Sequence, residues 1–305
     1  MESTPRGPQG PHGGSGPGPD AWPADLRAWL DGSQVPRRAG HLGSAEGRGA
    51  WRVGAPGSSV IVKIDLVERE RRVYAGAVAT LRNRGVDVPE VLAQGGGPPT
   101  WIAFEDVGPP LPRSRWELDP EVLDTLGCLH AIEARWWQAV VGEPFQPVWT
   151  PEMDSTALSA LRNVPARDRF GLLPVLTRLR EAAPALLSGT VPLSGDPNPT
   201  NWVIRPNVGI VLVDWERAGV GSPAVDLAIS MPGPGWRTDQ TARQVAREYI
   251  ERVHRAPSLA DLAMAIDVAK AWSVAEFLWS GHHPPPQALA AWAYHVRRVA
   301  AKLGA

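Results

Sequence analysis

Residues 193–216 read LSGDPNPTNWVIRPNVGIVLVDWE, and they bring several oxygen-bearing side chains into one short region. Asp196 and Asn201 lie five positions apart, in a loop rich in Gly and Pro. Two short apolar runs follow, with a Pro-Asn pair between them, and Asp214 comes directly after the second run. Such runs around a turn pair predict a β-hairpin, which would bring the loop and Asp214 to the same end of a small sheet. Two carboxylates and an amide oxygen placed together can hold a divalent cation and leave one carboxylate to orient a hydroxyl group.

The order of these residues resembles the pattern of the aminoglycoside phosphotransferase family. That pattern runs His-Gly-Asp, a short loop with a Pro, an Asn, and then a strand that ends in Asp-Trp or Asp-Phe. Pro199 and Asn201 fall in register with it, and Ser194 stands where the family has its His. The resemblance implies an α+β, protein-kinase-like fold of two lobes, in which a small β-rich lobe precedes a larger, mainly helical one. It also implies transfer of the terminal phosphate of a nucleotide to a hydroxyl of a small molecule.

The resemblance also assigns roles within this region. It implies that Asp196 is the catalytic Asp and that Asn201 and Asp214 bind Mg²⁺. A later stretch, GSPAVDLA at 221–228, continues the family pattern, and there Asp226 is expected to be structural rather than catalytic.

Composition and charge set limits on the rest of the chain. Its 305 residues suit two lobes, and a formal net charge of −1 gives no field that would favour nucleic acid or a membrane surface. The chain has a single cysteine and no apolar run near the about 20 residues that cross a bilayer. We expect a soluble, cytoplasmic protein with a disordered Pro/Gly-rich tail and no signal peptide at 1–21, a nucleotide-binding lobe at 22–107, and a catalytic and acceptor-binding lobe at 108–305.

Periodicity gives a coarse set of elements. Helices are expected near 23–31, 119–135, 166–188, 239–254, 258–280 and 286–303, and strands near 50–54, 59–64, 91–94 and 100–105. Ser258 followed by Asp261 is expected to cap its helix. His130, on the apolar side of its helix, is expected to be a core residue rather than a catalyst.

Lys63 stands out because the chain uses lysine so sparingly. Of its 31 basic residues 28 are Arg, so a Lys within the β-branched run at 59–64 indicates a need for a compact ammonium group. The resemblance implies that Lys63 contacts the α and β phosphates of the nucleotide. The alternative is a solvent-facing Lys on an edge strand.

A lysine in that role needs an acidic partner on the helix that is expected to begin near Asp65. Between Lys63 and Asp87 the acidic residues are Asp65, Glu68 and Glu70. Glu70 shares a helical face with apolar residues, and a charge on such a face needs a partner. We therefore expect Glu70 to orient Lys63.

Two further segments are expected to meet the nucleotide. Gly43, Gly47 and Gly49 precede a strand, as a glycine-rich cover over phosphates would. The strand at 100–105 is expected to end in the hinge between the lobes, where backbone groups around Glu105 to Val107 would meet the edge of the base. The donor is ATP or GTP, and the sequence does not distinguish them.

The acceptor is expected to bind to the C-terminal helices. Residues 231–305 carry a net charge of +3, which disfavours a polycationic aminoglycoside. Trp272, Glu276 and Trp279 fall on neighbouring positions of one helix and could line the cleft, although a Trp-rich core explains the two Trp equally well. The sequence therefore predicts an antibiotic phosphotransferase that acts on a sugar-containing, neutral or weakly charged compound, for example a nucleoside-like one.

Two alternatives stay open at this point. One is a metabolic kinase of the same fold that acts on a sugar, a choline-like alcohol or an amino alcohol. The other is a non-catalytic pseudokinase that binds nucleotide, which Ser194 and a Pro directly after Asp196 favour. Retention of Asp196, Asn201, Asp214 and Lys63 argues against the pseudokinase.

Overall fold

The structure is a computed structural model, and it describes residues 22–33, 39–42, 49–55, 57–166, 170–253 and 257–304. The tail expected at 1–21 and the expected phosphate-cover residues Gly43 and Gly47 lie outside these ranges. The chain forms two compact units, as a bilobal α+β kinase-like fold requires. One unit holds the described residues up to Val67 together with Pro89–Asp106, and the other holds Glu68–Val88 and the described residues from Val107 onward.

The first unit is built on a five-stranded antiparallel sheet with a helix, α1 (Ala24–Gly32), packed near one edge. Its strands are β1 (Ala39–His41), β2 (Gly49–Val53), β3 (Val60–Ile64), β4 (Val91–Gly95) and β5 (Trp101–Glu105), in the spatial order β1-β2-β3-β5-β4. Alternate residues of β3 are buried, as a half-buried strand requires, and Lys63 is one of the half-buried residues between them. The sequence predicted β2 to β5, and the structure confirms them.

The boundary between the units differs from the expected division after residue 107. Helices α2 (Glu68–Gly76) and α3 (Val78–Asn83) belong to the second unit. The Arg69 guanidinium donates hydrogen bonds to the main-chain carbonyls of Glu143 and Glu216, at 2.7 and 2.9 Å. These polar contacts join residues distant in sequence, and periodicity within one segment does not reveal them.

The second unit is mainly helical. Its helices are α4 (Pro120–His130), α5 (Ala134–Val141), α6 (Pro151–Ala160), α7 (Leu172–Leu187), α8 (Ala224–Ser230), α9 (Gln240–Ile250), α10 (Leu259–Trp279) and α11 (Pro286–Lys302). Helix α10 packs against α6, α7, α8, α9 and α11, so it is apolar around most of its circumference. The helix expected over 119–135 is two helices, because the chain turns after His130. No described helix is long and apolar enough to cross a membrane.

Two small antiparallel pairs of strands carry the region quoted first. Strand β6 (Val191–Leu193) pairs with β9 (Gly219–Gly221), and β7 (Trp202–Arg205) pairs with β8 (Gly209–Leu212). The β7–β8 pair is the predicted hairpin. Its turn places Asn207 in the left-handed region at φ 62°, which Asn tolerates better than most residues.

The predicted cap of α10 is also present. The Ser258 hydroxyl accepts a hydrogen bond from the Asp261 N–H at 3.1 Å and donates one to the Asp261 carboxylate at 2.7 Å. These bonds satisfy donors that the start of a helix would otherwise leave free.

His295 on α11 gives the fold a testable response to pH. Its fully buried ring accepts a hydrogen bond at Nδ1 from the Trp236 N–H (3.2 Å) and donates one from Nε2 to the Asp267 carbonyl (2.9 Å), which requires a neutral imidazole. Burial lowers the pKa of His295 to about 4, against an ordinary value of 6.5. Between these values the unfolded chain binds a proton that the folded chain does not, so folding loses stability as the pH falls.

We therefore expect His295 to lower the free energy of unfolding by up to about 1.4 kcal/mol per pH unit from pH 6.5 down to 4. Urea unfolding of the wild type and of His295→Gln over this range measures the difference in slope. His282→Gln removes an exposed His and serves as the control, which should keep the wild-type slope. An equal slope in wild type and His295→Gln would contradict the assignment.

Candidate active site

The buried carboxylate of Asp226 fixes the backbone of the loop that carries Asp196. Asp226, on α8, accepts hydrogen bonds from the N–H groups of Ser194 and Gly195, both at 2.9 Å. Gly195 has φ 78°, and a Cβ atom there would lie 2.0 Å from the Arg217 carbonyl oxygen, so the backbone needs a glycine. This arrangement gives Asp226 a structural part in the loop, as the sequence led us to expect.

The same carboxylate contacts His130 on α4. The His130 Nε2 lies 3.2 Å from an Asp226 oxygen, and its Nδ1 lies 2.9 Å from the Tyr249 hydroxyl. His130 and Asp226 are buried, so His130 is a core residue that supports the loop. The Ser194 hydroxyl, which stands where the family pattern has His, is buried and has no hydrogen-bond partner within the described part of the chain.

Asp196 and Asn201 are joined directly. The Asn201 amide group donates hydrogen bonds to the Asp196 carbonyl at 2.9 Å and to the Asp196 carboxylate at 3.2 Å. A 3-10 turn at Pro199–Asn201 sets this geometry, with the Asn201 N–H donating to the Asn198 carbonyl at 2.7 Å. The amide nitrogen of Asn201 is thus used within the loop, which leaves its Oδ1 as the atom that could bind a cation.

The loop is also tied to the strand that leads to Asp214. The Val213 N–H donates to the Asn201 carbonyl at 2.9 Å, which places Asp214 one residue beyond this contact. Asp214 itself has φ 66°, an uncommon backbone conformation that turns the chain sharply after β8. Asn201 and Asp214, the two predicted metal ligands, are therefore close together in the structure although they are far apart in the sequence.

Three carboxylates meet around Asp214. Oxygens of Glu70, Asp214 and Glu216 all lie within 4.8 Å of one another, and Glu70 is fully buried. The Trp215 N–H donates to the Glu70 carboxylate at 3.4 Å. Hard oxygen donors of this kind suit Mg²⁺, so Glu70, Asp214 and Glu216 form a chemically suitable donor set. Sequence reasoning missed Glu216, although the Asp-x-Glu spacing after β8 was a usable signal.

Asp196 is held in a surrounding that disfavours its charge. Burial raises its pKa to about 6, and the negative charges of Asp214 and Asp226 act in the same direction. The Arg217 guanidinium and the Asn201 hydrogen bond oppose the shift. A carboxylate with a raised pKa is a better proton acceptor than an ordinary Asp, which suits a general base.

Arg217 is a second residue that sequence reasoning missed. Its guanidinium forms an ion pair with Glu276 and lies 4.4 Å from the ring centre of Phe145 and 5.6 Å from that of Trp272. Glu276 had been expected to contact the acceptor. In the structure it holds Arg217, which lines the cavity beside Asp196.

A cavity of about 500 Å³ opens next to Asp196 within the second unit. Its walls include Arg217, Lys270, apolar side chains of α8 and α10, and the Pro-rich turn after α8. The two Trp residues that were expected to face the acceptor are not among the residues lining it. Trp272 is fully buried and donates its indole N–H to the Val148 carbonyl at 3.0 Å, so it belongs to the core, and Trp279 is 54 % exposed on the surface.

The residues expected to bind nucleotide lie on both units. Lys63, on β3, is paired with Ala50 on β2 and with Ile102 on β5 in the antiparallel sheet. The Glu105 N–H donates to the Glu90 carbonyl at 3.0 Å, and its carboxylate accepts from the Glu90 N–H at 2.8 Å, so these bonds fix the end of β5. Val107 is half-buried and begins the second of the two segments that form the second unit. The pairing of Lys63 with Glu70 stays a prediction.

Comparison with known proteins identifies the family of this chain. The model of the phosphotransferase enzyme family matches residues 40–260, well over half of the chain. The chain belongs to this family. It is therefore a phosphotransferase of the kinase type, as the sequence pattern had indicated. No sequence among the curated proteins matches it.

Solved structures of small-molecule kinases share the fold. A spectinomycin phosphotransferase in complex with ADP and spectinomycin aligns with a TM-score of 0.55 at 13 % identity, over 90 % of this chain and 96 % of that one. An aminoglycoside phosphotransferase mutant in a ternary complex with ADP and hygromycin B gives 0.52 at 17 % identity, over 90 % and 97 %. Choline kinase from Cryptosporidium parvum gives 0.52 at 13 % identity, over 92 % and 94 %.

Replacing Asp226 tests the support of the loop. In Asp226→Asn a neutral amide takes the place of the carboxylate that accepts two buried N–H groups, so we expect a loss of about 2–3 kcal/mol in the free energy of unfolding. Urea unfolding measures it. Asp124→Asn, a change at an exposed ion pair with Arg252, is the control and should cost less than about 1 kcal/mol. Equal losses in the two variants would show that Asp226 does not support the loop.

Proposed function

We propose that this protein transfers the γ-phosphate of a nucleoside triphosphate to a hydroxyl group of a small molecule. The observation that carries the proposal is the hydrogen-bonded pair of Asp196 and Asn201 at the edge of the 500 Å³ cavity. Asp214 directly follows Val213, whose N–H donates to the Asn201 carbonyl. A reactive carboxylate, oxygen donors for a cation and room for an acceptor are the parts that this reaction needs.

In the proposed reaction Asp196 orients the acceptor hydroxyl and takes its proton. The bond from the γ-phosphorus to the β,γ-bridging oxygen breaks as the bond to the acceptor oxygen forms. The transition state is loose, so correct placement of the hydroxyl matters more than the strength of the base. The hydrogen bond from Asn201 restricts the rotation of the Asp196 carboxylate and so supports this placement.

The donor set at Asn201 and Asp214 would hold Mg²⁺, and Glu216 lies close enough to assist. When bound, the ion would neutralise charge that develops between the β and γ phosphates. Lys63 would contact the α and β phosphates and Glu70 would orient it, while backbone groups at Glu105 to Val107 would meet the base of ATP or GTP.

For the acceptor we propose a sugar-containing antibiotic that is neutral or weakly charged. Three charged side chains line the cavity in the described part of the chain, the reactive Asp196 and the basic Arg217 and Lys270. A polycationic aminoglycoside would meet too little negative charge there. The fold shared with a spectinomycin phosphotransferase is compatible with an antibiotic acceptor.

A metabolic kinase is the second candidate, because choline kinase shares the fold. The charges in the cavity argue against choline itself, whose quaternary ammonium would face Arg217 and Lys270. A neutral sugar or sugar acid remains compatible with this candidate.

Replacing the proposed base should stop turnover. We expect Asp196→Asn to lower kcat by about 10²–10⁴-fold, because it removes the proton acceptor and leaves the other proposed nucleotide contacts in place. Release of ADP or GDP with a panel of antibiotics and sugars as acceptors measures turnover, and titration with nucleotide measures binding. Asp239→Asn, at a partly exposed Asp that pairs with Lys302 away from the cavity lining, is the control and should retain activity. Near-normal turnover in Asp196→Asn would refute the mechanism.

Removing the divalent cation should also stop turnover, and replacing one of its proposed ligands should weaken binding of the metal. We expect chelation of divalent cations to abolish turnover, and Asp214→Asn to weaken binding of Mn²⁺, a spectroscopic substitute for Mg²⁺, in the presence of nucleotide. Glu216→Gln removes the third carboxylate and should weaken Mn²⁺ binding less. If Glu216→Gln weakened Mn²⁺ binding more than Asp214→Asn did, the result would contradict the predicted position of the metal site.

A further inference from the structure

Lys270 is a buried ammonium group in the wall of the cavity beside Asp196. It lies on α10, is 4 % exposed, and donates a hydrogen bond from Nζ to the Met231 carbonyl at 2.7 Å. Its Nζ also lies 5.5 Å from the ring centre of Trp236. The side chain is thus held in place by a carbonyl and an aromatic face, both of which are uncharged.

No carboxylate forms an ion pair with Lys270 within the described part of the chain. Asp267, one turn earlier on α10, forms ion pairs with Arg298 at 2.8 Å and Lys302 at 3.2 Å. Glu276 forms its ion pair with Arg217, and Asp196, which lines the same cavity, forms no ion pair with Lys270 in the described part of the chain. Burial without such a partner lowers the pKa of Lys270 to about 7. Buried lysines are rarely left in this state, because desolvation of an unpaired ammonium is costly.

The ammonium group of Lys270 has more N–H donors than its contact with Met231 uses. A lysine carries three N–H groups, and the Met231 carbonyl accepts one of them. Since Lys270 lines the cavity, a molecule bound there can accept a hydrogen bond from the others. An oxygen with negative charge would supply the missing opposite charge as well as the hydrogen bond.

We propose that Lys270 is a specificity-determining residue that binds a negatively charged oxygen of the acceptor, such as a carboxylate. The inference rests on the proposed function, because it takes the cavity to be the acceptor site. It adds that an anionic group favours binding and that an ammonium group at the same position opposes it. The apolar walls formed by Ile229, Val274 and Phe277 would contact the rest of a ring-containing acceptor.

Three sugars of the same ring and different charge test the proposal: glucuronate, glucose and glucosamine. Ligand-observed NMR, in the presence of Mg²⁺ and ADP, measures their dissociation constants without any need for turnover. We expect wild-type protein to bind glucuronate about 10- to 100-fold more tightly than glucosamine, the range expected for a charged hydrogen bond. Weaker binding of glucuronate than of glucosamine, or no measurable binding of glucuronate, would overturn the proposal.

Variants locate the effect at Lys270. Lys270→Met keeps the length and apolar stem of the side chain, and it should reduce the preference for glucuronate to within about threefold of none. Lys270→Gln, which keeps an N–H donor without the charge, provides the same test if the Met variant fails to fold. Lys302→Met is the matched control, because this lysine is paired with Asp239 and Asp267 away from the cavity lining, and it should retain the preference.

The outcomes separate this proposal from the proposed function. Loss of charge preference in Lys270→Met, together with phosphate transfer by the wild type, supports both. Charge preference without phosphate transfer to any acceptor would refute the proposed function, and it would show that Lys270 binds an anionic oxygen in a cavity that is not an acceptor site. Phosphate transfer with a charge preference that is unchanged in both Lys270 variants would refute the assignment of Lys270 alone.

Discussion

The buried carboxylate of Asp226 is the interaction on which the rest of the site depends. It accepts two main-chain N–H groups from the loop between β6 and the 3-10 turn, and it is itself supported by His130. Buried N–H groups need acceptors, so this contact fixes the backbone just before Asp196. With the backbone fixed, Asn201 can bond to the Asp196 side chain and the next strand can place Asp214 beside it.

Placement of several carboxylates in one region has an electrostatic cost that the structure only partly offsets. Burial and the charges of Asp214 and Asp226 disfavour ionised Asp196, while Arg217 favours it. The cluster of Glu70, Asp214 and Glu216 concentrates further negative charge. A divalent cation would relieve this repulsion, which is the physical reason that such a cluster indicates a cation site. In the wall of the cavity the situation of Lys270 is the reverse, because this buried ammonium group has no ion-pair partner among the residues that the structure describes.

The features that the sequence predicted and those that it did not predict differ in how far apart the contacting residues lie along the chain. The hairpin, the Ser258 cap and the link between Asp196 and Asn201 involve residues close together in sequence, and local spacing therefore predicted them. Arg217 and Lys270 were missed as cavity residues, because an Arg after a strand and a Lys in an apolar helix have no distinctive spacing. Trp272 shared a helix face with Glu276, but spacing alone does not distinguish a face in the core from one at a cavity.

The sequence by itself determined the family, the phosphotransferase chemistry and the residues of the loop, because a short motif combines these residue types in a fixed order. Only the tertiary structure decided which unit holds 68–88, which side chains line the cavity and where charges remain uncompensated. These properties come from contacts between segments that are distant in sequence, such as the hydrogen bond from Arg69 to the Glu216 carbonyl. A sequence motif shows which chemically active groups a loop carries. The surrounding residues that shift the pKa values of those groups come together only when the helices pack.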